Sequence, residues 1–197
     1  PVRTRMAGEH HVDNCLAVAA AALAMEIDLP TIARGLEAVD AIPRRMERIA
    51  CGQSFGVIAD VADTPDRLSI ALKAAARRMT EGRVICVADA ATDGHPELRP
   101  LLGRVLERNA STGIITSNSG TAEQSLPVIH DVLDGYDRPA KAHVIPDREQ
   151  AITWALAQAR DVDTVLIAGC RDHDGLDDRE LIREWLYQQV PPVKSAL

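Results

Sequence analysis

The densest chemistry in the chain lies in Asp60-Val61-Ala62-Asp63-Thr64-Pro65-Asp66, three carboxylates and a hydroxyl directly after a short apolar run. Thr64 fits the cap of a helix and Pro65 its first position. The stretch therefore reads as a strand end opening into a helix, the place where open α/β sheets hold ligands. Just upstream, Arg44, Arg45 and Glu47 form a basic-acidic knot. Two readings stand side by side here. Arg45 with Glu47 is either a phosphate-facing group or a surface ion pair of little energetic value. Asp60 is either a ligand-facing carboxylate or a polar residue that caps a turn.

Other reactive side chains point to less. Asp172-His173-Asp174 invites a metal reading, but adjacent residues seldom converge on one ion and no second cluster accompanies them. No metal centre is expected. His10-His11 reads as a solvated pair. Cys15, Cys51, Cys86 and Cys170 include no CxxC pair and sit in apolar contexts, where cysteine behaves as a small hydrophobe. Neither GxxxxGK[ST] nor GxGxxG occurs. A nucleotide would need its phosphates held by another domain, with this chain contributing side chains, so the chain alone is not expected to hydrolyse ATP.

The 197 residues carry a net charge of -7 without a long basic run, and aromatic residues make up only 3%. Nucleic acid and anionic membrane surfaces are thereby disfavoured as partners. The longest apolar run, Leu16 to Met25, is too short to span a bilayer, and a cytoplasmic setting is expected. The opening PVRTRMAGEHHVDN reads as part of a longer protein.

The elements that must position these residues alternate. Asp13 or Asn14 is expected to cap an Ala-rich helix to about Glu26. A second short helix follows Leu29-Pro30, the two making a helical hairpin. Pro43 ends this opening. Met46–Cys51 and Phe55–Asp60 read as a strand hairpin. Helices are expected over Pro65–Met79, Glu97–Asn109, Ala122–Leu133, a segment capped by Asp147 and ending at Ala159, and one from Asp177-Asp178 to before Pro191. Strands are expected over Arg83–Ala88, Gly113–Thr116, Ala142–Ile145 and Thr164–Ala168. This alternation specifies an α/β, Rossmann-like, mostly parallel sheet with helices on both faces. Residues 1–42 form a helical piece and 43–197 the sheet domain.

Several stretches in order resemble one family: Gly8-x-x-x-Val12-x-Asn14, Pro43-x-Arg45-Met46-Glu47-Arg48, Asp60-x-Ala62-x-Thr64-Pro65-Asp66, Arg99-Pro100-Leu101-x-Gly103, Ile145-Pro146-Asp147-Arg148, Leu166-Ile167-Ala168-Gly169 and Asp177-Asp178-Arg179-Glu180. Together they resemble the Mur ligases over nearly the whole chain. The resemblance implies a three-domain protein whose amino-terminal domain binds a UDP-sugar and whose central domain carries the P-loop. Residues 1–42 would be the tail of that central ATPase domain and 43–197 the carboxy-terminal domain. The implied reaction uses ATP and Mg to form an acyl phosphate, which an amino-acid amine attacks to give an amide. By the same resemblance Asn14 lies near adenine, Arg45 near the ATP phosphates and Asp60 on the ribose hydroxyls, with Asp63 and Thr64 on the same nucleotide-facing edge.

The departures bear on competence. Asp63 stands where the family has a His near phosphate. A carboxylate about 5 Å from a phosphate charge is repelled by about 3 kcal/mol at an effective dielectric near 20, so Asp63→His is expected to tighten nucleotide binding. The family's Gly-Cys-Gly-Gly-Asp-Arg-Asp becomes Asp89-Ala90-Ala91-Thr92-Asp93-Gly94-His95, with Asp93 keeping its place. Its Asp-Asn-Pro-Arg becomes Asn118-Ser119-Gly120-Thr121, and Thr121 lacks the bidentate grip an Arg gives a carboxylate. His173 and Asp174 approximate its His-Glu pair. The amino-acid-facing set is therefore Asp93, Asn118, Ser119, Thr121, His173 and Asp174. Three readings remain open: a domain of an active ligase, a pseudo-ligase domain kept for binding or assembly, and an unrelated Rossmann-like module.

Overall fold

In a computed structural model, residues 1–4, 10–77, 81–91, 95–117, 122–170, 172–173 and 176–189 are described. They form two compact units, Pro1–Glu47 and Arg48–Leu197.

The first unit holds α1 (His10–Ala24) and α2 (Leu29–Glu37), which pack together. Asp13 and Asn14 lie inside α1, not before it, so neither is its cap. The Ala-rich composition lets the helix begin earlier than the polar signal suggests. Asp28 caps α2, accepting the Thr31 N–H at 2.9 Å, and Pro30 occupies the first turn where no N–H is needed.

The second unit is built on a six-stranded sheet. Its strands are β1 (Glu47–Arg48), β2 (Gly56–Ala59), β3 (Val84–Asp89), β4 (Thr112–Thr116), β5 (His143–Val144) and β6 (Thr164–Ile167). Their order is β1-β2-β6-β3-β4-β5, and the β2–β6, β6–β3, β3–β4 and β4–β5 pairs are parallel. The last strand of the sheet in sequence, β6, thus separates β2 from β3.

Between the strands run α3 (Pro65–Ala76), α4 (Arg99–Asn109), α5 (Ala122–Leu133) and α6 (Arg148–Gln158), followed by α7 (Asp178–Gln189). Side chains alternate across a strand, and the core follows that period. Val57, Ala59, Ile85, Val87, Val165 and Ile167 join Ala151, Ile152, Ala155 and Leu156 of α6 and Ile182 and Leu186 of α7 in one cluster. The opposite face is covered by α3, α4 and α5, which pack side by side. At Gly103, where α4 meets α5, a Cβ would lie 1.9 Å from the Val132 carbonyl oxygen, so only glycine permits this approach. The sheet is therefore sandwiched, as an almost wholly buried parallel sheet must be.

Several expected elements are shorter. The strand over Met46–Cys51 reduces to β1, because Arg44 and Met46 hold φ of 58° and 49° and turn the chain before it can extend. The strand over Ala142–Ile145 reduces to β5. A 3-10 turn, Pro96–Leu98, precedes α4.

Candidate functional site

The carboxyl ends of the strands hold several of the buried polar groups. Asp60 follows β2, Asp89 closes β3, Thr116 and Ser117 close β4, and all four are buried. The Asp60 N–H donates to the Ile167 carbonyl at 2.9 Å and its carbonyl accepts the Cys170 N–H at 2.9 Å. The end of β2 is thus fixed by the end of β6. Asp60 Oδ1 accepts the Ala62 N–H at 2.8 Å, the turn-capping role open to it from sequence.

Thr64 is the N-cap of α3, extended at φ -118°, ψ 156°, with Pro65 in the first turn. Its Oγ1 accepts the Arg67 N–H at 3.5 Å, a long contact. Asp63 pairs with Arg67 one turn on, at 2.9 Å. The cation shields this carboxylate and lessens the repulsion expected against a phosphate.

A second group lies around Arg148, the first residue of α6. Asp147 caps that helix, accepting the Gln150 N–H at 2.7 Å. Arg148 Nη2 donates to Asp178 Oδ2 at 2.8 Å and to the Ala168 carbonyl at 3.1 Å, and Nε donates to Asp178 Oδ2 at 3.2 Å. Both partners are buried. Burial favours the neutral guanidine, but Asp178 and Asp89 outweigh it and hold the Arg148 pKa above its ordinary value. Burial pushes the Cys170 thiol up, so it is an inert apolar contact rather than a nucleophile. Thr116 Oγ1 and the Ser117 N–H both donate to the Pro146 carbonyl, at 2.9 and 3.2 Å, tying β4 to the start of α6.

Gly169 follows β6 at φ +70°. A Cβ there would stand 2.8 Å from the Cβ of Asp89, so the Asp89 side chain lies directly over the glycine.

The sequence-derived residues divide among these regions. Asp60, Asp63 and Thr64 form one corner at the end of β2. Asn14, exposed on α1, and Arg45, exposed in the turn bridged to Ile42, belong to the first unit. The Glu47 carboxylate, expected beside Arg45, accepts the Arg44 N–H at 2.8 Å. His173 lies in β7 (Asp172–His173), which pairs antiparallel with β8 (Leu176–Asp177). Asp93, Asn118, Ser119, Thr121 and Asp174 lie outside the described residues. Sequence reasoning passed over Asp89, Arg148 and Asp178 as actors. The available signal was a carboxylate ending an apolar run, and an arginine beside a helix cap.

Among the described residues no group of three or more His, Cys, Asp or Glu converges to hold a metal ion. No helix there is long and apolar enough to cross a membrane.

A mostly parallel sheet with helices on both faces defines a Rossmann-like α/β domain, and its carboxyl edge, where open sheets of this class hold ligands, carries buried carboxylates. A family model described as Mur ligase, glutamate ligase domain matches residues 44–171, more than half of the chain. The chain belongs to the Mur ligase family. It is 41% identical over 169 residues to the UDP-N-acetylmuramoyl-L-alanyl-D-glutamate--2,6-diaminopimelate ligase of Geobacillus kaustophilus (strain HTA426), covering 85% of this chain and 34% of the relative. The ligase of the same name from Chromobacterium violaceum is 36% identical over 178 residues, covering 90% and 36%. A solved ligase of that name superposes with a TM-score of 0.66 at 26% identity, over 95% of this chain and 40% of the other. The chain thus spans little more than a third of the length of these two curated relatives.

Proposed function

We propose that this chain is the carboxy-terminal, amino-acid-receiving part of an ATP-dependent, ADP-forming amide ligase of peptidoglycan precursor synthesis. It acts in the cytoplasm on a UDP-N-acetylmuramoyl-peptide. The observation that carries this reading is 41% identity over 85% of the chain to a ligase named for that chemistry. Residues 1–42 are the helical tail of the central ATPase domain and 43–197 the carboxy-terminal domain. The exposed apolar side chains Val12, Leu16, Leu23 and Met25 on and just after α1 support a larger body for the first unit.

In this reading the central domain holds the phosphates of ATP and its Mg ion. The substrate carboxylate takes the γ-phosphoryl group, releasing ADP. The amino-acid amine then attacks the acyl carbon, forming the amide and releasing phosphate. This chain positions the reactants and stabilises charge. Asn14, Arg45, Asp60, Asp63 and Thr64 face the nucleotide. Asp93, Asn118, Ser119, Thr121, His173 and Asp174 face the amino acid. In the full-length protein, closure of the carboxy-terminal domain over the nucleotide completes the site.

A second reading, a catalytically degenerate domain kept for binding or assembly, rests on Thr121 standing where the family pattern has an Arg. The Asp63–Arg67 pair removes part of its other support. The deciding experiment supplies the full-length protein with ATP, Mg, a UDP-N-acetylmuramoyl-dipeptide and a panel of amino acids. Amino-acid-dependent release of ADP with matching amide formation is expected. Nucleotide binding without amide for any amino acid favours the second reading.

A further inference from the structure

The corner after β2 is rich in negative charge: Asp60, Asp63 and Asp66 follow one another at three-residue spacing. Between Arg48 and Lys73 the chain holds a single Lys or Arg, which is Arg67. A phosphate-bearing ligand at this corner therefore has one candidate cation from this segment.

Arg67 stands where helix stability alone does not favour it. It is the third residue of α3, in a first turn whose dipole disfavours a cation. Side chains on a helix lean toward its start, and here Nη1 donates to Asp63 Oδ1 at 2.9 Å. The two ends of the pair are unequally covered. The Asp63 side chain is 14% exposed and that of Arg67 56%, so an arriving anion meets guanidinium before carboxylate. Among the described residues the guanidinium donates through Nη1 alone, and the rest of its five-donor fork is open to a second acceptor. An ion pair with so exposed a cation adds little to stability, but it holds a long side chain in one direction.

On the reading of this corner as nucleotide-facing, we propose that Arg67 is its phosphate-contacting cation and that Asp63 is the positioning residue that aims it. Asp63 holds one edge of the guanidinium. The remaining N–H groups donate to a phosphate oxygen in charge-assisted hydrogen bonds. Loss of the Asp63 charge, expected from sequence to tighten nucleotide binding, should then loosen it.

Calorimetry with a non-hydrolysable ATP analogue and Mg on the full-length protein tests both roles. Arg67→Ala should weaken binding about tenfold. Arg67→Lys, which keeps the charge without the fork, should recover only part of that loss. Lys73→Ala, an equal loss of charge in the last turn of the same helix, should leave binding unchanged. Thermal melts of Arg67→Ala should match the wild type, which separates contact from folding. Asp63→Asn should weaken binding about threefold while Arg67 is present. In the Arg67→Ala background the same change should instead tighten it, since only repulsion then remains. A merely structural role for Asp63 gives no such inversion of sign. Equal binding by the wild type and Arg67→Ala, or tightening by Asp63→Asn with Arg67 in place, overturns the proposal and leaves the ligase reading intact. A wild-type protein that binds no nucleotide overturns the ligase reading, and the role of Arg67 falls with it.

Discussion

Arg148 and Asp178 meet as a buried fork, with Nε and Nη2 of the guanidinium both directed at one carboxylate. The pair joins the first residue of α6 to the first residue of α7, across 30 positions of sequence. Each carboxylate or cation left alone in that place would be an uncompensated buried charge.

Removing one member should therefore be severe. Asp178→Ala is expected to cost about 3–5 kcal/mol. Urea denaturation should show a lower midpoint at an unchanged slope. The double variant Arg148→Met, Asp178→Leu should recover much of the loss, since neither charge then remains to be satisfied.

Asp163 predicts an acid limb. It accepts the Arg83 N–H at 2.8 Å and the Arg160 N–H at 3.0 Å, and pairs with the Arg83 guanidinium at 2.7 Å. Burial opposes ionisation, but these donors outweigh it and lower the Asp163 pKa from 3.8. A group depressed in the folded state contributes stability that is full above its unfolded pKa and is lost as pH falls through the folded one. Stability should thus decline below pH 3.8 by a component that Asp163→Asn abolishes. Thermal melts of both proteins between neutral and strongly acid pH would show it.

Gly169→Ala should be costly twice over, through its positive φ and through the Cβ of Asp89 at 2.8 Å. The backbone part alone is about 1–3 kcal/mol. In the pair Gly169→Ala with Asp89→Gly the steric part should vanish, so the two substitutions are non-additive in a double-mutant cycle. Additive losses would show that the two side chains do not compete for one space.

The two helix caps differ in quality. Asp147 accepts its N–H at 2.7 Å, Thr64 at 3.5 Å. Loss of a good cap costs about 1 kcal/mol. Asp147→Ala should reach that value in equilibrium unfolding, and Thr64→Ala should fall clearly short of it.

Much of this architecture was legible because its signals are local. Ala122–Leu133 is the helix its pattern specifies, and Thr64 and Asp147 are the caps their positions suggest. The apolar run before Asp89 is the buried strand that such a run implies. The site was legible only at the corner of Asp60, Asp63 and Thr64, where strand end and helix start adjoin in sequence. Arg148 and Asp178 could not be matched to each other from sequence, because their partnership is tertiary and a charge reads as exposed until its partner is known. The Arg67 partner of Asp63 was within reach, since four residues on a helix bring side chains together. The shortened β1 was not, because Arg44 and Met46 are turn residues of a kind that composition does not mark.

The place of β6 between β2 and β3 has a consequence for how the molecule comes into being. As the chain emerges during synthesis, β2, β3, β4 and β5 appear while the central position of the sheet is still unfilled. β3 and β4 can pair at once, but β2 has no neighbour on that side until Thr164–Ile167 arrives. The corner of Asp60 is held by Ile167 and Cys170, so it acquires its shape among the last events of folding. Such non-local closure is slow, and leaves an open strand edge meanwhile. A nascent chain stalled before residue 164 should therefore bind chaperones through β2 and β3, and completion of β6 should release it.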